Sequence, residues 1–205
     1  MNREQIAYLF DSNIEEVKRI AENLKKQQDT FIKIASILGE VDENGGRVFI
    51  LGVGGGAGNG THLAGDLFKS ASLHAICLTD NIPTITAITN DEGWEDVFSY
   101  QLRIWRCNEK DALLIFSVGG GDAEKNISAN LIKAIDFAKA QGAKILGVVG
   151  KETGYTAKNG DAVIIVPVSL RHMLTCHTES WQAYLGHLLN EALRRRSAKW
   201  ESQLV

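Results

Sequence analysis

The chain has 205 residues, of which 44% are hydrophobic and 23% are charged, so it is large enough to bury one core and short for two domains. Its net charge of −3 at neutral pH argues against a broad basic surface for nucleic acid. The apolar runs are about 5–8 residues long, well below the roughly 20 needed to cross a bilayer, which argues against a membrane protein.

The cysteines and the N-terminus bear on the compartment. Cys77, Cys107 and Cys176 are far apart and form no CxxC pair, which is typical of a reducing compartment rather than of a disulfide framework. The N-terminal segment is too polar for a signal peptide. We therefore expect a cytoplasmic protein in which all three cysteines serve packing.

The predicted elements begin with helices. Apolar residues recur at helical spacing from Ile6 to Leu24 and again from Phe31 to Leu38, which predicts a helical pair at the N-terminus. Five strand-like runs then alternate with amphipathic segments, and a final helix is predicted to end at about Lys199. This alternation predicts an α/β fold with a doubly wound, five-stranded parallel sheet and helices on both faces. The predicted strands are Val48–Leu51, Ala75–Leu78, Ala112–Ser117, Lys144–Val149 and Ala162–Pro167.

Two glycine-rich loops follow predicted strands. The first, GVGGGAGNG, leads into a helix that carries His62 and Asp66, four residues apart and therefore on one face, where they can share a proton or a metal ion. The second, Ser117–Asp122, is predicted to lead into a helix from about Ala123. Glycines and a free helix N-terminus suit an anion such as phosphate.

A dinucleotide site is one alternative for the first loop. Residues 52–57 fit the pattern G-x-G-x-x-A, and Asp80 ends the next strand. A nicotinamide site explains neither the second loop nor the pair of His62 and Asp66. A sugar phosphate explains both, because one loop can hold the phosphate while the other faces the carbon chain.

The segment at residues 87–99, AITNDEGWEDVFS, resembles the A-x-x-N-D-x-G-[FW]-x-D-[IV]-F-S segment of sugar isomerase (SIS) domain proteins, and of their phosphoheptose isomerases in particular. The resemblance spans nearly the whole chain. It implies a single SIS domain over residues 1–205, a three-layer αβα sandwich. Residues 1–43 would form the N-terminal helices and an oligomer contact, and residues 44–205 the α/β core and terminal helix.

The same resemblance implies an activity. It implies isomerisation of sedoheptulose 7-phosphate, or a related sugar phosphate, to an aldose through an enediol, with Asp66 and His187 as the proton-transfer groups. It also implies one zinc per subunit and a homotetramer with sites between subunits. The implied zinc ligands are His62, Asp66, Glu179 and His187. The implied substrate contacts are Gly54, Gly55, Gly56, Asn90, Asp91, Ser117, Val118, Gly119, Gly120 and Glu179.

Two features qualify these expectations. Eight residues of straight helix separate Glu179 and His187 by about 12 Å, so both are expected to meet one ion only if Glu179 precedes or starts the helix, with Thr175 or Thr178 as the N-cap. The chain also has GVGGG and SVGG where the family commonly has GNGGS and STSG, and Glu179 and Asp66 replace a glutamine and a glutamate. The alternative is a non-catalytic sugar-phosphate sensor or a protein-binding regulator.

Overall fold

The computed structural model describes residues 2–194, and its centre is the predicted five-stranded parallel sheet. The strands lie in the order β2-β1-β3-β4-β5. Strand β2 lies on one side of β1 and strand β3 lies on the other, so the direction of the chain across the sheet reverses between β1 and β3. Open α/β sheets bind their ligands at such a reversal. The strands are β1 (Val48–Gly52), β2 (Ala75–Cys77), β3 (Ala112–Ser117), β4 (Lys144–Val149) and β5 (Ala162–Ile165).

Helices cover both faces of the sheet, as predicted, and each face has its own apolar core. Ile50 of β1 packs with α1, α2, α3 and α8, while Leu51 packs with α5 and α6. The alternation follows from the strand pleat, which directs successive side chains to opposite faces. The helices are α1 (Arg3–Leu24), α2 (Gln28–Glu43), α3 (Gly55–Ser70), α4 (Ile82–Asp91), α5 (Val97–Ile104), α6 (Ala129–Ala140), α7 (Tyr155–Asn159) and α8 (Leu174–Arg194).

Helices α3 and α8 run parallel and side by side on one face of the sheet. The Asn59 side chain donates from Nδ2 to the Glu179 carbonyl oxygen at 2.8 Å, and further along Asp66 meets His187. Gln182, which is fully buried, donates from Nε2 to the Val148 carbonyl oxygen at 3.0 Å and so ties α8 to β4. The two helices that carry the predicted histidines are thereby held in fixed register.

Two predicted helix boundaries are wrong. The helix after the second loop begins at Ala129 rather than near Ala123, because an antiparallel bridge between Asp122 and Ile127 closes a turn there. Helix α8 begins at Leu174, after a 3₁₀ turn, so Thr175 and Thr178 lie inside it and are not N-caps. The predicted end of this helix at about Lys199 lies outside the described residues.

The cysteines are free, and two of them agree with the packing prediction. Cys77 and Cys107 are buried, and burial raises the pKa of the Cys107 thiol to about 12. Cys176 is exposed, so the packing prediction is wrong for that residue. Among residues 2–194, no helix is both long and apolar enough to span a membrane.

Candidate active site

The turn between β1 and α3 explains why this part of the sequence is rich in glycine. Gly54 has φ of +62°, a conformation that other residues rarely adopt. Gly55 follows as the first residue of α3, and a Cβ there would overlap the Glu179 carboxylate. The turn is therefore shaped to bring the start of α3 against α8.

His62, Asp66 and His187 form the only group of three or more candidate metal ligands that the described residues contain. Asp66 Oδ2 lies 3.3 Å from His62 Nε2 and 3.4 Å from His187 Nδ1. The two imidazole rings meet edge to face, with centroids 5.0 Å apart. The pairing of His62 with Asp66 comes from their spacing on α3, and His187 joins them because α8 packs alongside.

The two distances from Asp66 to the histidines equal those between neighbouring ligands of a tetrahedral metal ion. Donor atoms about 2.0–2.1 Å from a zinc ion lie roughly 3.3–3.4 Å apart in a tetrahedron, which is the separation seen here between Asp66 and each histidine. Two imidazoles and a carboxylate are also an ordinary donor set for zinc, with the fourth position left for water or substrate. The side chains of His62 and His187 are 62% and 57% exposed in the single chain, so the site is open.

Glu179, predicted as a fourth ligand, lies outside this group. It sits inside α8, two helical turns before His187, so about 12 Å of helix separates the two residues. Its half-buried carboxylate lies against Gly55 and has no hydrogen bond or ion pair to any residue that the structure describes. A carboxylate at the first turn of α3 occupies the place where a helix N-terminus would attract an anion.

The second loop is well ordered by its own hydrogen bonds. The Gly120 N–H donates to Ser117 Oγ at 2.9 Å, and the Thr156 hydroxyl donates to the Gly120 carbonyl oxygen at 2.9 Å. Gly119 has open space where a Cβ would lie. The N–H donor of Gly120 is thus used within the loop, while the Ser117 hydroxyl keeps its own proton to donate to a ligand.

The structure does not bring Asn90 and Asp91 to the three grouped residues within one chain. Both end α4, where Asn90 Nδ2 donates to Asp91 Oδ1 at 2.8 Å. Asp91 instead lines a separate cavity of about 690 Å³ beside strand β2, here called the edge cavity, whose lining contains none of the three.

Sequence reasoning missed the polar residues that hold α3 and α8 together. Asn59 of α3 contacts α8, and Gln182 of α8 contacts strand β4. The two amides also approach each other, with Asn59 Nδ2 3.4 Å from Gln182 Oε1. The available signal was an amide on an otherwise apolar helix face, since a buried amide requires hydrogen-bond partners.

The chain is similar in sequence and in structure to known proteins. The sequence model of the SIS domain matches residues 13–150. A phosphoheptose isomerase of Helicobacter pylori is 31% identical, with 77% of this chain and 84% of that protein covered. A phosphoheptose isomerase of a Nitratiruptor species is 32% identical over 84% of this chain and 95% of the relative. The solved phosphoheptose isomerase of Neisseria gonorrhoeae superposes with a TM-score of 0.79 at 25% identity, over 93% of this chain and 97% of that one.

Proposed function

The chain belongs to the SIS domain family, and we propose that it is a sugar-phosphate isomerase that converts sedoheptulose 7-phosphate, or a closely related ketose phosphate, to D-glycero-D-manno-heptose 7-phosphate or the related aldose. The observation that carries this proposal is the Asp66 carboxylate held between the imidazoles of His62 and His187. The similarity of the chain's sequence to phosphoheptose isomerases supports the choice of substrate.

The proposed reaction moves protons between C1 and C2 of the substrate. A base removes a proton from C1 of the ketose while the carbonyl oxygen O2 takes up a proton, which gives a 1,2-enediol. An acid then delivers a proton to C2 while the O1 hydroxyl loses its own to become the aldehyde. Asp66 and His187 lie on different helices and are the proposed proton-transfer groups. Their side-chain atoms approach to 3.4 Å, so both can reach one small substrate.

Zinc, one ion per subunit, is the proposed cofactor. His62, Asp66 and His187 would hold it, and a bound zinc would polarise the substrate carbonyl as a Lewis acid. Glu179 stays a predicted ligand and substrate contact; in this structure its carboxylate lies against Gly55 and outside the group of His62, Asp66 and His187.

We place the substrate phosphate at the second loop, Ser117–Gly120. The Ser117 hydroxyl has a proton to donate, and the open side of Gly119 leaves room for close approach. The Glu179 carboxylate at the start of α3 would repel a phosphate at the first loop, which supports this choice. The glycines of the first loop, Gly54, Gly55 and Gly56, then face the sugar carbons.

The proposed enzyme is a homotetramer with active sites between subunits, located in the cytoplasm. The exposure of His62 and His187 in the single chain supports a site that a second subunit completes, and Asn90 and Asp91 would come from that subunit.

A sugar-phosphate sensor without catalysis is the second candidate. The Glu179 carboxylate favours it, because this side chain has no hydrogen bond or ion pair among the described residues and puts a negative charge where the family resemblance implies a neutral glutamine. The sensor would bind a ketose phosphate and exchange no protons with it.

Solvent deuterium exchange separates these candidates. The protein is incubated in heavy water with a panel of C6 to C8 ketose phosphates, with and without zinc, and deuterium at C1 of the ketose and C2 of the aldose is followed by NMR. We expect exchange, which Asp66→Asn should reduce by about 10²–10⁴-fold, the usual contribution of one acid–base group, while Asp42→Asn on α2 leaves it unchanged.

One result would contradict the isomerase, and another would contradict the role of Asp66. Binding of a ketose phosphate without any exchange across the panel would favour the sensor. Exchange that persists undiminished in Asp66→Asn would keep the isomerase and remove Asp66 from its mechanism.

A further inference from the structure

The edge cavity lies between strand β2, the edge of the sheet, and helices α4 and α5. Its volume of about 690 Å³ falls within the range of sites that hold small organic ligands. Ile76, Ile88 and Ile104 give it an apolar surface. Apart from Asp91, its lining takes no part in the proposed isomerase site.

Gln101 presents a fixed hydrogen-bond acceptor to this cavity. The residue is only 7% exposed, and its Nε2 donates to the Leu78 carbonyl oxygen at 3.0 Å and to the Val97 carbonyl oxygen at 2.9 Å. Because both partners are acceptors, the orientation of the amide is set and both of its hydrogens are used. The remaining atom, Oε1, accepts no hydrogen bond from any of the described residues, and Gln101 is part of the cavity lining.

The charge of the cavity is of one sign. Its lining, all of it in the described part of the chain, contains the carboxylates of Asp80, Asp91 and Glu92 and no lysine, arginine or histidine. Asp80 already accepts from the Thr61 hydroxyl at 2.6 Å through one oxygen, which leaves the other available. A negative rim above an apolar floor attracts a positive ligand and repels phosphates and carboxylates.

We propose that the edge cavity binds an organic cation, a protonated amine on a compact apolar or aromatic body. Its N–H donates to Gln101 Oε1, its apolar body lies against Ile76, Ile88 and Ile104, and its charge is balanced by the acidic rim. Gln101 Oε1 has no donor among the described residues, and an ammonium group supplies one. This site is separate in chemistry from the proposed isomerase site, whose substrate is an anion.

The test uses tryptamine as the cation and indole-3-propionate as an anion of similar size and shape. Binding is measured by calorimetry at low salt, and the location by NMR shifts of the Gln101 side-chain amide and the Trp105 indole N–H, since both residues line the cavity. We expect tryptamine to shift both signals and to bind at least about tenfold more tightly than indole-3-propionate.

Two variants test the two halves of the argument. Gln101→Leu removes the acceptor and should weaken tryptamine binding by about tenfold or more. Glu92→Gln, an exposed change that leaves the fold intact, should weaken it by about two- to fivefold, and Glu124→Gln, an exposed carboxylate outside the cavity, should not. Glu92→Gln should also leave isomerase activity unchanged, which separates failure of this site from failure of the proposed function.

The proposal is overturned if tryptamine and indole-3-propionate bind equally, or if the shifts lie away from Gln101 and Trp105. It is also overturned if tryptamine fails to bind. If Ile104→Arg then lowers the mass of the particle in solution, a second copy of the chain covers the cavity.

Discussion

At the residue scale, His62, Asp66 and His187 offer three ligand atoms to a metal ion and leave a fourth position open. His62 and His187 approach Asp66 at tetrahedral separations, yet in the single chain both imidazoles remain open to solvent. Three protein ligands are the number that catalytic zinc sites use, since the fourth position must admit substrate. Removal of one ligand should therefore lower metal affinity without unfolding the chain.

We predict that His62→Ala and His187→Ala each lower the zinc content from one ion per subunit to a small fraction of it, because a site with two ligands holds zinc weakly. Elemental analysis of the purified proteins measures this directly. His74→Ala, which changes an exposed histidine outside the group, is the matched control. A wild-type protein without metal, whose activity neither chelation nor added zinc alters, would rule out the zinc site.

The phosphate prediction depends on the conformation of the second loop. Gly120 has φ of +72°, so any side chain there strains the backbone, whereas Gly119 has open space at its Cβ position. We predict that Gly119→Leu weakens sugar-phosphate binding by roughly 1–3 kcal/mol, with Gly119→Ala between it and wild type, because a side chain blocks close approach to the loop. Calorimetry gives the affinities; three equal values would move the phosphate away from this loop.

These residues also show how far the sequence alone could lead. The spacing of His62 and Asp66 predicts their pairing, because four residues of helix return to the same face. His187 lies more than a hundred residues away, and only the family resemblance joined it to them. The contact of Glu179 with Gly55 depends on the packing of α3 against α8, which no local pattern encodes.

At the element scale, one carboxylate fastens α1 to the segment that leads into α8. Glu16 is 5% exposed and accepts from Arg19, from the N–H and hydroxyl of Ser169 and from the N–H of Leu170. The hydrogen bond from Arg19 is the main cause that holds the pKa of Glu16 well below its usual range. The same arginine donates to the Pro167 carbonyl oxygen, so α1 holds the whole turn before the helix of His187.

We predict that Glu16→Gln lowers the free energy of unfolding at pH 7 by roughly 2–4 kcal/mol, since it breaks a buried, charge-assisted network. The pKa of Glu16 is depressed in the folded state, so its contribution is complete above the unfolded value of about 4.3 and is lost as the pH falls below it. The difference between wild type and Glu16→Gln should therefore shrink between about pH 5 and pH 2.

Urea unfolding over this pH range measures the effect. The control is Glu15→Gln, which changes an exposed carboxylate paired with Lys18 and should cost less than about 1 kcal/mol at any pH. A difference between wild type and Glu16→Gln that stays constant with pH would contradict the ionised network.

Elements were predicted well where burial dictates them and poorly where turn chemistry does. The five strands read as short apolar runs because parallel strands are covered on both faces. Helix α6 begins about six residues later than predicted, because Asn126 and Ser128 both adopt positive φ, at 52° and 54°, and the sequence there carries no strong signal for it. The caps predicted at Thr175 and Thr178 failed because the apolar face of α8 already begins at Leu174.

At the scale of the whole molecule, several exposed apolar side chains line a groove between α1 and α8. Ile6 and Phe10 of α1 are 52% and 66% exposed, and they border a groove of about 820 Å³ that continues to Trp181 and Tyr184 of α8. Apolar patches of this kind on a folded chain mark contact surfaces. One wall of the groove is α1, which belongs to the N-terminal segment for which the family resemblance implies an oligomer contact, so we assign the groove to the proposed homotetramer.

We predict that Phe10→Lys lowers the mass of the particle in solution from that of the proposed tetramer to that of smaller species at micromolar concentration. Loss of one buried aromatic side chain and burial of a charge in its place cost roughly 3 kcal/mol or more per chain, which is over a hundredfold in affinity. Light scattering coupled to size exclusion gives the mass. Ile32→Lys is the control. Ile32 is likewise an exposed apolar residue, 52% exposed, but it lies on α2, outside the groove.

The dissociated variant then tests where the active site is completed. If a second subunit supplies Asn90 and Asp91 to His62, Asp66 and His187, then Phe10→Lys should lose most of its proton exchange with sedoheptulose 7-phosphate, although the three grouped residues are untouched and still bind zinc. Raising the protein concentration should restore both mass and exchange together, because association is then favoured. A wild-type chain that is monomeric, or a dissociated variant with full exchange, would show instead that each chain carries a complete site.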